Sequence, residues 1–350
     1  MILISLTFLV SLFFAMNIGA SGAAASMGIA YSAGALTKRM GVGLSALGLF
    51  LGAWLGGGTV IKTLSHGIVP SNDLSVEITL LVLIAATSTL FFANVLGIPL
   101  STSEVTVGAI VGLGMVTHHV YGGKLFTVVS FWLLLPAVSF CLAWGVHRVL
   151  IRLSRYEKSK KWLVGLVGGL GVLEAVSAGM NNVANTMGPL VGAHLISMSH
   201  ALFWGGLFLG IGSLILGKRT LETNGKQIVS LSLLEGGFVS GMVSVLVILA
   251  SLLGIPIPMA QVTTCAIMGI GTGKEGFSLY RKNMIRKILI IWFVSPVVSL
   301  VLSYGLIKIF VHADYYTLLI MLGVSLSTLG LRRLKSMNSE KAALPVAEEG

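Results

Sequence analysis

Residues 96–114 read LGIPLSTSEVTVGAIVGLG, and residues 253–271 read LGIPIPMAQVTTCAIMGIG. Ten of the nineteen positions are identical at a shift of 157 residues. A match of this length within one chain indicates that a segment has been duplicated.

The duplication extends beyond this segment. GASGAAASMG at 19–28 matches GMNNVANTMG at 179–188 at a shift of 160. The same shift relates Trp132 and Pro136 to Trp292 and Pro296. The chain therefore consists of two homologous halves.

The composition is that of a membrane protein. Of the 350 residues, 55% are hydrophobic and only 10% are charged, whereas soluble domains carry about 25% charged residues. Several apolar stretches approach the roughly 20 residues that span a bilayer. We therefore predict an all-α polytopic membrane protein with about 11 nominal crossings. These are 2–36, 41–60, 76–96, 99–117, 125–147, 162–196, 200–217, 231–253, 256–272, 286–310 and 315–331. The first crossing of each half is too long for one helix and predicts a broken or re-entrant piece.

The basic residues predict the orientation. With the N-terminus outside and the C-terminus inside, only Lys62, Lys124 and Lys308 fall outside, and every other Lys and Arg falls inside. This bias follows the positive-inside rule. The net charge of +11 therefore orients the protein in a bilayer, and it requires no nucleic acid as a partner.

Each half has five predicted crossings, and this odd number makes the duplication an inverted-topology repeat. The predicted boundaries are 1–147 for the first repeat, 148–161 for a basic cytoplasmic linker and 162–310 for the second repeat. An extra transmembrane helix at 311–334 and a cytoplasmic tail at 335–350 follow.

The repeated segments place polar residues at membrane depth. Pro99 and Pro256 mark helix starts or breaks because proline cannot donate a backbone hydrogen bond. Free N–H groups at a helix start can bind an oxyanion. Polar breaks in matching places of two repeats are typical of a secondary transporter with its site where the halves meet.

The candidate substrate-binding residues come from both motif types and differ between the copies. They are Ser21, Ser26, Ser101, Thr102, Ser103, Asn181, Asn182, Asn185, Thr186, Gln261, Thr263 and Thr264. Two other interpretations stay open. The asparagines could join helices through amide hydrogen bonds, and the hydroxyl groups could bond to their own helix backbone.

These motifs resemble those of the inorganic phosphate transporter family, whose signatures GANDVANAxG and GxPxSTTH occur once in each half. The resemblance covers about residues 1–310 and is closest to the family's sulfate permease branch. It implies inverted repeats that transport a tetrahedral oxyanion with a coupling cation. The chain departs from the family at the motif aspartates, which are replaced by Gly22 and Asn182, and at the motif histidines, replaced by Glu104 and Gln261.

The departures favour sulfate over phosphate. Phosphate keeps a P–OH proton that a carboxylate can accept, whereas sulfate only accepts hydrogen bonds. A site of hydroxyl groups, amides and backbone N–H groups suits sulfate, and a buried carboxylate would repel it. Phosphate and other oxyanions remain the alternatives.

The lost aspartates also argue against a family-type sodium site. Intramembrane carboxylates are by default functional, so we expect Glu104 or Glu174 to carry a coupled proton, with sodium as the alternative. A structural role for either carboxyl group stays open. No metal or cofactor is expected, because Cys141 and Cys265 have no metal or disulfide spacing. A homodimer is an open possibility.

The alternative of another class is an intramembrane enzyme acting on a phosphorylated lipid. Such an enzyme would need a nucleophile with a base or a metal cluster. No such motif is evident in the sequence. We therefore predict a transporter without enzymatic activity, which crosses the inner or plasma membrane of the cell several times.

Overall fold

The computed structural model describes residues 1–32, 34, 36–95, 100–154, 160–224, 231–281 and 283–321. These residues form helices and connecting turns, with no strand among them. The helices are α1 (Ile2–Ser32), α2 (Lys38–Gly56), α3 (Gly58–His66), α4 (Val76–Val95), α5 (Thr102–Thr117), α6 (Gly122–Ser154), α7 (Lys160–Gly192), α8 (Met198–Asn224), α9 (Leu233–Leu252), α10 (Met259–Glu275) and α11 (Asn283–Phe310).

Eight of these helices are long and apolar enough to cross a membrane. They are α1, α2, α4, α6, α7, α8, α9 and α11, and each coincides with a predicted crossing. Helices α5 and α10 are shorter, at 16 and 17 residues. Of the predicted crossing 315–331, residues 315–321 are helical, and the rest lies outside the described residues. The prediction of a multi-pass, all-helical membrane protein is confirmed.

The prediction that the first crossing of each half is broken is wrong. The glycine motifs at 19–28 and 179–188 lie inside the continuous helices α1 and α7, of 31 and 33 residues. The motifs contain no proline, so every backbone N–H group can join the helix. Their glycines permit close contact with a neighbouring helix.

The proline segments, in contrast, do interrupt helices. Helix α9 ends at Leu252 and α10 begins at Met259, with Pro256 in the connection between them. Trp132 of α6 donates its Nε1–H to the carbonyl oxygen of Pro256 at 2.8 Å and so holds this connection. In the first half α4 ends at Val95 and α5 begins at Thr102, and Pro99 lies outside the described residues.

The packing between the halves is reciprocal. Gly19 of α1 lies so close to the carbonyl oxygen of Leu209 that a Cβ atom would overlap it. Gly179 of α7 has the same relationship to the carbonyl oxygen of Leu49. Gly179 follows Gly19 by 160 residues, and Leu209 follows Leu49 by the same interval. A glycine of each half therefore contacts the equivalent helix of the other half.

A second pair of contacts follows the same rule. A Cβ atom on Gly112 of α5 would lie 2.5 Å from the carbonyl oxygen of Leu300 in α11. A Cβ atom on Gly269 of α10 would lie 2.5 Å from the carbonyl oxygen of Phe140 in α6. The two glycines are 157 residues apart and their partners are 160 residues apart. These contacts, which we call glycine seams together with the first pair, therefore also join equivalent helices of opposite halves.

The chain divides into two compact units, Met1–Tyr304 and Gly305–Gly350. The first contains α1 to α10 and most of α11. The described part of the second contains the last residues of α11 and the helical residues 315–321. Both ends of the predicted linker 148–161 are helical, because α6 continues to Ser154 and α7 begins at Lys160.

Candidate functional site

The asparagines of α7 lie in the protein interior. Asn181 and Asn185 are fully buried, and Asn182 is 6% exposed. Three amides in an apolar environment are costly unless each finds hydrogen-bond partners. Their partners come from the two interrupted segments, one in each half.

The first of these partners is the start of α5. Thr102 Oγ1 donates to Asn182 Oδ1 at 2.9 Å, and Ser103 Oγ donates to Asn181 Oδ1 at 3.3 Å. Asn185 Nδ2 lies within hydrogen-bond distance of Thr102 Oγ1, at 3.2 Å, and of Asn182 Oδ1, at 3.2 Å. We call these five residues the amide–hydroxyl cluster. It joins the first turn of α5 to the C-terminal half of α7.

The second partner is the last turn of α9 together with the connection that leads to α10. Asn181 Nδ2 donates to Ser251 Oγ at 3.0 Å and to the carbonyl oxygen of Ile255 at 3.1 Å. The backbone N–H of Ile257 donates to Asn181 Oδ1 at 3.1 Å. Asn181 therefore satisfies the backbone of the non-helical segment while it also contacts α5.

Glu104 and Gln261 connect the first turns of α5 and α10. Gln261 Nε2 donates to Glu104 Oε1, and Ser295 Oγ of α11 donates to Glu104 Oε2 at 3.4 Å. Glu104 is 3% exposed. Both oxygens of this buried carboxyl group thus have a donor from the second half of the chain.

Glu174, on α7, is less completely paired. Thr263 Oγ1 donates to its Oε1 at 3.4 Å, and the side chain is fully buried. The Ser240 hydroxyl lies nearby, but Oε2 has no hydrogen bond of acceptable geometry within the described residues. The hydroxyl group of Thr263 is therefore directed to Glu174 and not to the asparagines.

Other predicted residues have local hydrogen bonds. Ser21 and Thr186 donate to carbonyl oxygens of their own helices, at 3.3 and 3.2 Å. Ser26 donates to the Gly22 carbonyl oxygen at 2.7 Å and pairs with Ser45 of α2, so its hydroxyl group is used between α1 and α2. These three residues are not brought to the cluster by their hydrogen bonds.

Two further predicted residues have different roles. Ser101 caps α5, because its Oγ accepts the N–H of Glu104 at 3.4 Å. Thr264 lies half-buried on α10, next to Thr263. The capping serine fixes where α5 begins and therefore where its first turn faces α7.

Sequence reasoning missed Ser251 and Ser295. A signal for Ser295 was available, since it precedes the repeated Pro296, whereas Leu135 precedes the equivalent Pro136. A polar residue in only one copy of an apolar repeat indicates a specific partner, which the structure identifies as Glu104.

The cluster can offer an anion several donors without a formal positive charge. The hydroxyl groups, the asparagine amides and the first N–H groups of α5 all lie in this region, and a helix start favours negative charge. In the observed arrangement these donors bond to one another, so an incoming oxyanion would replace bonds within the cluster.

Eight helices long and apolar enough to cross a membrane, packed around a buried polar cluster, define a multi-pass membrane protein. The chain belongs to the phosphate transporter family, whose model matches it twice, over residues 18–175 and 154–303. The family resemblance predicted from the two motifs is thereby confirmed.

Individual relatives extend this assignment. The chain is 45% identical to the sulfate permease CysP of Bacillus subtilis, and the match covers 98% of each chain. It is 28% identical to a putative phosphate permease of Pyrococcus abyssi, over 87% of this chain and 97% of that protein. A solved structure of a sodium-dependent phosphate transporter has the same fold, with a TM-score of 0.77 at 22% identity, covering 87% of this chain and 98% of the other.

Proposed function

We propose that this protein is a secondary transporter that imports sulfate by proton symport, through an alternating-access site between two inverted repeats. The observation that carries the proposal is the amide–hydroxyl cluster. It combines the start of α5 from the first half with the asparagines of α7 from the second, and it contains no carboxylate.

The uncharged character of the cluster supports sulfate as the substrate. Sulfate accepts hydrogen bonds and donates none, so hydroxyl, amide and backbone N–H groups suit all four of its oxygens. The 45% identity to a protein named as a sulfate permease supports the same substrate. A carboxylate at Asn182, as in the family motif, would add charge repulsion to a dianion.

The reciprocal seams support the inverted repeat. A contact between Gly19 and Leu209, together with one between Gly179 and Leu49, is what a two-fold relationship between the halves produces. We place the axis in the membrane plane, because five predicted crossings per half reverse the direction of entry. The N-terminus is then outside and the C-terminus inside.

Glu104 and Glu174 support proton coupling. Both are buried, and both accept hydrogen bonds from residues of α10. Glu104 belongs to the first half and α10 to the second, so Glu104 lies where a movement of one half against the other would be felt, whereas Glu174 and its donor Thr263 both belong to the second half. A proton carried on one carboxyl group would offset part of the sulfate charge during inward movement.

The second candidate function is phosphate symport coupled to sodium or to protons. It is favoured by the family assignment and by the fold shared with a sodium-dependent phosphate transporter. An enzyme acting on a phosphorylated lipid has no support among the named relatives, which are permeases and transporters.

Uptake of labelled sulfate into membrane vesicles with an imposed pH gradient tests the proposal. We expect uptake to follow an inward proton gradient, to be accelerated by preloaded unlabelled sulfate, and to resist an equal concentration of phosphate. Uptake that follows sodium and ignores the pH gradient would overturn the proposal of proton coupling. Strong competition by phosphate would overturn the proposal that sulfate is the substrate.

A further inference from the structure

A row of serines on α11 leads away from Glu104. Ser295, Ser299 and Ser303 follow one another at intervals of four residues, so they lie on one face of the helix about 6 Å apart. Their exposed fractions are 3%, 0% and 0%. Ser295 Oγ donates to Glu104 Oε2 at 3.4 Å, so the row begins at the carboxyl group.

The other two hydroxyl groups are unusual because they lack partners. A serine inside a helix commonly donates to the carbonyl oxygen four residues earlier. Ser299 Oγ and Ser303 Oγ are buried and have no hydrogen-bond partner in the described part of the chain. A buried hydroxyl group without a partner is costly, and an internal water is the usual way in which such a group is satisfied.

The row faces α5 and ends near an open cavity. A Cβ atom on Gly112 would lie 3.0 Å from Ser303 Cβ, which directs Ser303 towards α5. The next residue, Tyr304, lines a cavity of about 650 Å³ together with Gly114, Met115 and His118 at the end of α5. The cavity therefore lies at the end of the serine row that is remote from Glu104.

The equivalent positions in the first half lack these features. A shift of 160 residues relates Ser295, Ser299 and Ser303 to Leu135, Ser139 and Ala143 of α6. The one serine among them, Ser139, donates to the carbonyl oxygens of Pro136 and Val262, both at 2.9 Å. The residue at the position of Glu104 is Gln261, which cannot carry a proton. The titratable group and the unpaired hydroxyl row thus occur together, in one copy only.

We propose that the row Ser303, Ser299 and Ser295 is a hydrated path by which protons reach Glu104 from the cavity at His118 and Tyr304. One water between neighbouring hydroxyl groups, with two hydrogen bonds of about 2.8 Å, spans the 6 Å interval. The inference rests on the proposed proton coupling, and it identifies Glu104, in preference to Glu174, as the proton carrier. By the charge-based orientation, the cavity is at the outer surface.

The titratable groups on the neighbouring elements have other positions or partners. Glu77 is exposed at the start of α4, and Glu174 of α7 accepts from Thr263. Lys274 of α10 pairs with Glu235 of α9, and His118 lines the cavity. Among the described residues, the side chains that hydrogen-bond to the carboxyl group of Glu104 are Gln261 and Ser295.

Cysteine accessibility tests whether the path holds water. In a full-length protein with Cys141→Ala and Cys265→Ala, single Ser303→Cys, Ser299→Cys and Ser139→Cys variants are treated from outside with a small membrane-impermeant thiol reagent. We expect Ser303→Cys to react about tenfold faster than Ser139→Cys, with Ser299→Cys between them, because thiolate chemistry requires water. Equal rates at all three positions would overturn the path.

Transport measurements separate proton delivery from a structural role. With Ser299→Ala and Ser303→Ala combined, we expect proton-driven sulfate uptake to fall about fivefold while sulfate exchange stays within about twofold, since exchange needs no net proton entry. Ser139→Ala is the matched control and should change neither. Equal loss of uptake and exchange, or no loss of either, would overturn the proposal. If wild-type uptake ignores the pH gradient, the coupling itself fails, and the cysteine rates still report on the water path.

Discussion

Glu104 and Gln261 occupy the same position in the two copies of one motif, 157 residues apart, and they hydrogen-bond to each other. In a two-fold arrangement, a residue and its repeat equivalent can meet only near the axis. In the proposed inverted repeat the pair therefore lies near the axis that relates the halves, and it joins a titratable side chain to one that does not titrate.

Replacing Glu104 with glutamine should uncouple transport from the proton gradient. An amide at this position can still hydrogen-bond to Gln261 but cannot carry a proton. We expect proton-driven sulfate uptake to fall at least about tenfold while exchange continues. Glu77→Gln, at an exposed position, is the control, and Glu174→Gln should keep its response to pH. A pH response that survives in Glu104→Gln and disappears in Glu174→Gln would contradict the assignment.

Exchanging the two residues gives a sharper test. The double variant Glu104→Gln with Gln261→Glu preserves composition and the hydrogen bond across the axis. The carboxyl group then faces the α6 side, where Leu135 replaces Ser295. We expect this protein to fold and to exchange sulfate, but to lose proton-driven uptake. Normal proton-driven uptake would contradict this expectation, because it would mean that either residue of the pair can carry the carboxyl group.

Restoring the family carboxylate should weaken sulfate transport. In Asn182→Asp, a negative charge replaces an amide that accepts from Thr102 at 2.9 Å. We expect the apparent affinity for sulfate to fall about tenfold, or ~1.4 kcal/mol, and phosphate to become a better competitor. Asn182→Ala removes the amide without adding charge and should have the smaller effect on competition by phosphate. Identical competition in both variants would contradict the electrostatic explanation.

The glycine seams should be intolerant of a single methyl group. A Cβ atom on Gly19 would overlap the carbonyl oxygen of Leu209, a backbone atom that cannot rotate away. We expect Gly19→Ala to lower the free energy of unfolding by about 1–3 kcal/mol, measured as thermal denaturation in detergent. Gly28→Ala on the same helix is the control, because nothing lies within 4 Å of a Cβ atom there. Equal stabilities would contradict the close packing.

The ion pair between α9 and α10 should be revealed by removing one partner. Lys274 Nζ lies 2.6 Å from Glu235 Oε2, and the glutamate side chain is 1% exposed. Lys274→Met leaves a buried carboxylate, and we expect a loss of about 3 kcal/mol in the free energy of unfolding. The double variant with Glu235→Gln should recover most of it, because the amide needs no counter-charge. A double variant as unstable as Lys274→Met would contradict this role.

The sequence alone predicted the membrane class and eight of the crossings. Apolar length and self-similarity are properties of the chain itself, so no neighbour is needed to recognise them. It did not predict that α1 and α7 are continuous. Whether a glycine breaks a helix or admits a neighbour depends on that neighbour, and here Leu209 and Leu49 come from the other half.

The same reasoning explains the site. Asn181, Asn182 and Asn185 were identified because amides in an apolar segment need partners. Ser21 and Ser26 have similar chemistry, yet their hydroxyl groups bond to backbone within α1. Ser295 was missed because its meaning depends on Glu104, which is 191 residues away. The type of a residue indicates that it needs hydrogen bonds, and only the fold determines which residues are its partners.

The glycine seams also bear on what a single copy of the repeat could form. Gly19 contacts backbone on α8 and Gly179 contacts backbone on α2, so the surface that each of these two glycines fits belongs to the other half. A protein with a single copy of the repeat would therefore require a second molecule to fill the same seams. Within one chain the two copies of a repeat are free to differ, and here the asparagines lie on one copy and the carboxyl group of Glu104 on the other.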